Sequence, residues 1–170
     1  MNHLRNIAIV FFLAATLQGC KFYSFTGADI DYSTTKTFQV NFFKNNAAIV
    51  IPGLARDFTN DLQDLLVNQT SLELVTTNGD LIYEGEIIEY YIAPITAQSN
   101  STAAQNRLTI SINVRFFNTK KEEKDFEQRF SFYFDYPGST QLTGSRLDDA
   151  VAVIFERITQ DIFNKSLANW

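Results

Sequence analysis

The clearest pattern in the chain is alternation of apolar and polar residues. From Arg107 to Phe117 the apolar set is Leu108, Ile110, Ile112, Val114 and Phe116, and from Phe126 to Tyr136 it is Phe126, Phe130, Phe132, Phe134 and Tyr136. A repeat of two predicts two strands with one buried face each. If the turn Asn118 to Lys124 joins them symmetrically, facing positions sum to about 242. That sets Arg115 opposite Glu127 and Arg107 opposite Asp135. Thr37 to Phe43 alternates Phe38, Val40 and Phe42 against Thr37, Gln39 and Asn41 and predicts another half-buried strand. Leu72 to Val75 reads as a short strand and Leu81 to Ala93 as a long one ended by Pro94. Asn78-Gly79-Asp80 between them reads as a hairpin turn.

Helical spacing appears twice. Leu54, Phe58, Leu62, Leu65 and Leu66 recur on one side of a segment opened by Pro52, predicting a helix over 52–67. Leu147, Val151, Ile154, Ile158 and Ile162 form the stripe of a second helix over 146–166. The segment Ile95 to Gln105 is rich in Thr, Ser, Asn and Ala without periodicity and predicts a loop. Each helix has one apolar stripe and the sheet one apolar face. The expected fold is therefore α+β: two helices packed on one face of a mixed, largely antiparallel sheet of about four strands.

The N-terminus is different in kind. Met1 to Asn6 carries Arg5, Ile7 to Leu17 is apolar but about half the length that crosses a bilayer, and Leu17-Gln18-Gly19-Cys20 follows. This predicts a lipoprotein signal over 1–19, cut after the small Gly19, with the Cys20 thiol as the lipid attachment site. Residues 20–35 then form a lipidated tether holding Phe22, Tyr23 and Phe25, and 36–170 one domain. Several acyl chains on one cysteine anchor stably, at roughly 0.8 kcal/mol per buried methylene. Lys21 follows the cysteine and no acidic run comes after it, which by the sorting rule for bacterial lipoproteins points to the outer membrane, on its periplasmic side.

Cleavage before Cys20 leaves 151 residues with 13 basic and 19 acidic side chains, a net charge of −6. Phosphate backbones need clustered Lys and Arg, so nucleic acid is not an expected partner. The only histidine is His3, inside the signal, and the only cysteine is Cys20. No zinc site, Ser-His-Asp triad or thiol-His pair can be assembled from that set, and no disulfide can form within the domain. No cofactor is implied and the chain is not expected to be an enzyme. Glu84 and Glu86 alternate with Tyr83, Gly85 and Ile87 and read as a solvated strand face rather than a catalytic pair. Asn78-Gly79-Asp80 lacks the oxygen spacing of a calcium loop. Lys120, Lys121 and Lys124 form a basic turn tip able to meet phosphate, although Glu122 and Glu123 lie among them, and Tyr133 falls on the polar face of its strand, where an exposed ring can anchor a partner.

Short motifs in order carry a resemblance. Cys20-Lys21-Phe22-Tyr23-Ser24-Phe25-Thr26-Gly27, Gln69-Thr70-Ser71-Leu72, Gly79-Asp80-Leu81 with Glu84-Gly85, Asn106-Arg107-Leu108-Thr109-Ile110, Phe116-Phe117-Asn118, and Asp161-Ile162-Phe163-Asn164 with Ala168-Asn169-Trp170 resemble the lipopolysaccharide-assembly lipoprotein family LptE in its Bacteroidota form. The resemblance implies two helices on a four-stranded sheet. It also implies a lipoprotein that plugs an LptD-type outer-membrane β-barrel and supports lipopolysaccharide transport and assembly. Arg107, Lys120, Lys121, Lys124 and Tyr133 are the residues here that could contact lipopolysaccharide or the barrel. A free periplasmic lipid- or glycan-binding lipoprotein, with its cavity between sheet and helices, is the alternative.

Overall fold

A computed structural model describes residues 29–95 and 105–168. The expected stripe of the first helix forms α1, Leu54–Gln69, which buries Leu54, Phe58, Leu62 and Leu66. Pro52 and Gly53 lie just outside it, because Gly53 takes a left-handed φ of 87° at the N-cap. The second stripe forms α2, Ser145–Leu167, burying Ile154, Phe155, Ile158 and Ile162.

Six strands, rather than about four, make one mixed sheet: β1 (Thr37–Val40), β2 (Lys44–Asn45), β3 (Glu73–Leu74), β4 (Leu81–Ile95), β5 (Gln105–Asn118) and β6 (Phe126–Pro137). The short strand expected over Leu72 to Val75 forms as β3, and the strand not anticipated is the two-residue β2, too short to show a period. The order is β3-β1-β4-β5-β6, with β2 beside β4 further along the line of β1. Strands β4, β5 and β6 are antiparallel neighbours, whereas β1 pairs in parallel with both β3 and β4. Strand β1, helix α1 and strand β3 thus form a crossover unit, the connection that parallel neighbours require.

Both helices cover the same face of the sheet. Beneath them, Leu108, Ile110, Ile112, Val114 and Phe116 of β5 are wholly buried, as the alternation predicts. On the edge strand β6 the equivalent positions are less covered: Phe130 and Tyr136 are buried, but Phe126, Phe132 and Phe134 only partly. An edge-to-face aromatic line ties the layers together, with Phe43 5.0 Å from Phe58 and Phe58 5.1 Å from Phe155. Phe43, Phe58 and Phe155 thus occupy the layer between sheet and helices where they meet.

Two local expectations are corrected. The alternation Phe38, Val40, Phe42 stops at Val40: Phe42 is 62% exposed and Phe43 fully buried. Val40 pairs with Tyr83 but Lys44 with Glu86, so the first chain uses one more residue than the second over this stretch. Such a bulge reverses which side chains face inward, and Phe43 enters the core beside Gly85. A Cβ on Gly85 would overlap the Asn113 carbonyl oxygen and lie 2.8 Å from the Phe43 ring.

Asn78-Gly79-Asp80 does not close a hairpin either, because β3 and β4 lie on opposite sides of β1. The segment crosses β1 on the face away from the helices, and Asn78, not Gly79, takes the left-handed conformation (φ 56°). Gly79 is needed for the close approach: a Cβ there would come 2.8 Å from both the Cβ and the backbone N of Gln39. Asp80 then clamps the crossing. Its carboxylate accepts from the backbone N–H of Lys36 (2.8 Å) and of Thr37 (3.1 Å) and from the Thr37 hydroxyl (3.1 Å).

Candidate functional site

With both helices on one side, the other face of β4, β5 and β6 carries the polar halves of their alternation. Across the three strands the rows are Glu84, Arg115, Glu127; then Glu86, Asn113, Arg129; then Glu89, Ser111, Ser131; then Tyr91, Thr109, Tyr133; and last Ala93, Arg107, Asp135. Exchange between Asn113 and Arg115 of their partners across these rows turns one half into a closed charge network. Arg115 donates to Glu84 (3.0 Å) and Glu86 (3.3 Å), while Asn113 donates to Glu86 (3.2 Å) and Glu127 (2.7 Å). Glu86 is held below the usual carboxylate range, first by the Asn113 amide and then by the Arg115 guanidinium. Ser111, wholly buried, donates to Glu89 at 2.7 Å, and Arg129 reaches the same carboxylate.

The expected register holds: Arg107 faces Asp135 and Arg115 faces Glu127. Only the first pair becomes an ion pair across that hairpin. Arg107 binds Asp135 through two parallel hydrogen bonds of 2.7 and 2.8 Å, which lower the Asp135 carboxyl. Arg115 instead turns to β4, because Glu84 and Glu86 lie on its other side and together offer more negative charge than Glu127.

Arg107 and Tyr133 come together. The guanidinium stacks 3.5 Å from the centre of the Tyr133 ring and is held flat by Asp135, and Tyr91, 44% exposed like Tyr133, lies in the Tyr133 row. The sequence pattern places Tyr133 and Arg107 on this face and requires one of the adjacent Tyr90 and Tyr91 to point away from the core; the bulge after Ile87 makes it Tyr91, with Tyr90 buried.

The three lysines lie at the other end of β5. Eleven strand steps, about 36 Å, separate Arg107 from Asn118 at the end of β5, just before Lys120, so the two groups cannot grip one small ligand. At the tip, Lys120 pairs with Asp80 at 2.9 Å and Lys124 with Asp29 at 3.3 Å, while Lys121 lines a small cleft with Asp31 and Asn118. Asp29 also donates its backbone N–H to the Leu167 carbonyl at 2.6 Å, fixing the entry of the chain at this end. Cys20 lies outside the described residues, as do Phe22, Tyr23 and Phe25 of the tether. Among the described residues no three His, Cys, Asp or Glu side chains are grouped to hold a metal ion, and no helix is long and apolar enough to cross a membrane.

Comparison with known proteins adds one strong result. The model of a lipopolysaccharide-assembly family, LptE, matches residues 35–166. No curated protein gives a significant match. Among solved structures, similar chains include a hypothetical protein from Chlamydia trachomatis, at 11% identity over 77% of this chain and 95% of that one, with a TM-score of 0.48. A minor lipoprotein from Acinetobacter baumannii has 11% identity over 78% and 94%, with a TM-score of 0.47. Rare lipoprotein B from Shewanella oneidensis has 12% identity over 75% and 89%, with a TM-score of 0.42. Likenesses this weak establish neither a common fold nor a common function.

Proposed function

The chain belongs to the LptE family of lipopolysaccharide assembly, and from that premise we propose that it is an outer-membrane lipoprotein whose domain plugs an LptD-type β-barrel and supports lipopolysaccharide transport. The observation that carries this reading is the family match, which spans almost the whole folded domain. Residues 1–19 are the signal, Cys20 is the acylated residue, and the domain hangs in the periplasm from the inner side of the membrane.

Geometry supports the arrangement. Asp29 stands beside the hairpin tip, and the eight residues between it and Cys20, nine steps along the chain, span at most about 30 Å. Lys120, Lys121 and Lys124 therefore face the anchoring membrane, within reach of headgroup phosphates, and the Arg107-Tyr133 end faces away from it. A sheet face whose charges are paired among themselves suits contact with the wet wall of a barrel lumen, since little charge must be stripped of water without a partner. We assign Arg107 and Tyr133 to contacts with the barrel or with lipopolysaccharide.

The test is recovery of the tagged, lipidated protein from its native envelope in mild detergent. One large outer-membrane barrel at near-equal amounts is expected, reduced when Arg107→Ala and Tyr133→Ala are combined. Recovery of the lipoprotein alone would refute barrel binding, and full recovery with the double variant would refute the assigned contacts.

A further inference from the structure

Helices α1 and α2 run side by side in the same direction, tied near their far ends by a Gln69 to Gln160 hydrogen bond of 3.2 Å. Between their N-terminal halves lies a groove of about 200 Å³. Its lining is apolar where Leu54, Val151 and Phe155 meet, and among the described residues its charged lining groups are the carboxylates Asp57, Asp61 and Asp148. Arg56 sits 2.8 Å from Asp57, but both side chains are largely exposed, and such a pair neutralises little.

Asp57 and Asp148 lie in the first turns of their helices, where a negative charge answers the helix dipole. Asp61 is a turn further on, where that support has faded. Asp61 is exposed at the rim, but partial loss of water on its groove side raises its carboxyl from the ordinary value, and the charges of Asp57 and Asp64 raise it further. An arriving cation would relieve that crowding.

The shape narrows the occupant. Small-molecule sites usually enclose about 300–1,000 Å³, so this groove takes one or two side chains rather than a whole ligand. Three carboxylates on the rim repel any phosphate-bearing lipid. The groove is also turned away from the anchored end: Phe155 and Leu147 stand roughly 18 and 30 Å along α2 from Leu167, beside which Asp29 enters. We propose that this groove docks a basic peptide segment of a protein partner, with an apolar side chain entering between the helices and flanking lysines or arginines pairing with Asp57, Asp61 and Asp148. Long basic side chains suit the site because their methylenes lie on apolar surface while the charge stays at the rim. The proposal does not depend on which barrel, if any, the sheet face meets.

The probe is a fluorescent Lys-Leu-Lys-Leu-Lys peptide, titrated by anisotropy into the full lipidated protein in a neutral detergent, with Glu-Leu-Glu-Leu-Glu as its counterpart. Saturable binding of the basic peptide alone is expected. It should weaken about tenfold when Asp57→Asn, Asp61→Asn and Asp148→Asn are combined, and less than twofold when the same charge is removed elsewhere by Glu73→Gln, Glu122→Gln and Glu123→Gln. Ala152 lines the groove and is exposed, so Ala152→Trp should fill the space without disturbing the core and abolish binding. Circular dichroism confirms that each variant is folded. Absence of saturable binding, equal weakening by both charge sets, or unchanged binding to Ala152→Trp would each overturn the proposal.

Discussion

Asp80 holds the least local feature of the fold, the strand crossing that places β1 between β3 and β4, and its carboxyl makes that role measurable by pH. The backbone N–H of Lys36, the Lys120 ammonium and the N–H and hydroxyl of Thr37 all favour the charged form, and together they hold Asp80 down at about 2 from an ordinary 3.8. Its side chain is only 17% exposed, so solvent screens these contacts little. At 1.36 kcal/mol per unit, the difference corresponds to about 2 kcal/mol of stability. Because the folded value lies below the unfolded one, this contribution is complete above pH 3.8 and is lost as pH falls from there through about 2. The assay is urea unfolding, followed by circular dichroism between pH 2 and 6, of the mature chain carrying Cys20→Ser with and without Asp80→Asn. Taking the difference between the two proteins removes the titration of the other carboxylates. The Asn variant should be about 2 kcal/mol less stable at pH 6, and the gap should close towards pH 2. A gap that does not change with pH would refute the assignment, as would an Asn variant of undiminished stability at pH 6.

Other perturbations probe the layers separately. Gly85→Ala should cost about 3 kcal/mol by forcing β4 away from the Asn113 carbonyl and the Phe43 ring, and an unchanged thermal midpoint would show that the sheet yields more easily than its packing implies. Tyr83, wholly buried, donates to the Ser166 hydroxyl at 2.9 Å, which itself donates to the Ile162 carbonyl at 2.8 Å; Tyr83→Phe should cost about 1 kcal/mol in urea unfolding. Burial pushes the Tyr83 phenol up, so titration of tyrosinate absorbance to about pH 11 should be the same in both proteins. Arg115→Gln leaves Glu84 and Glu86 unneutralised on one strand face and should cost about 1 kcal/mol at low salt, with most of the loss gone in about 1 M salt, where the screening length is roughly 3 Å.

Much of the secondary structure was legible because it depends on neighbours along the chain. The stripe Leu54, Phe58, Leu62, Leu66 and the alternation Leu108 to Phe116 each report one buried face, and the β5-β6 register follows from the turn that joins the strands. The single-sided packing of both helices followed from the same count of apolar faces. Of the candidate site, the placement of Arg107 with Tyr133 on the polar face could be read in the same way, since both residues belong to one hairpin.

The rest required knowing which distant segments meet. Nothing local to Thr37–Phe43 announces the extra residue that turns Phe43 inward; it becomes necessary only when this stretch is laid against β4. Asn78-Gly79-Asp80 has the composition of a hairpin turn, yet β1 occupies the space between the strands it joins, and the same residues serve a crossing instead. Arg115 faces Glu127 as the register requires but binds Glu84 and Glu86, because an interior strand has two flanks and the sequence pattern of one hairpin describes only one of them. The sequence by itself determined which residues are buried where the alternation or the helical stripe runs unbroken, since periodicity is a property of a single segment; it failed where a bulge interrupts the period, as at Phe42 and Phe43 and in β4 beyond Ile87. Strand order, the bulge, the choice of ionic partner and the groove between the helices were decided only by the tertiary structure, since each arises where segments far apart in the chain are brought into contact.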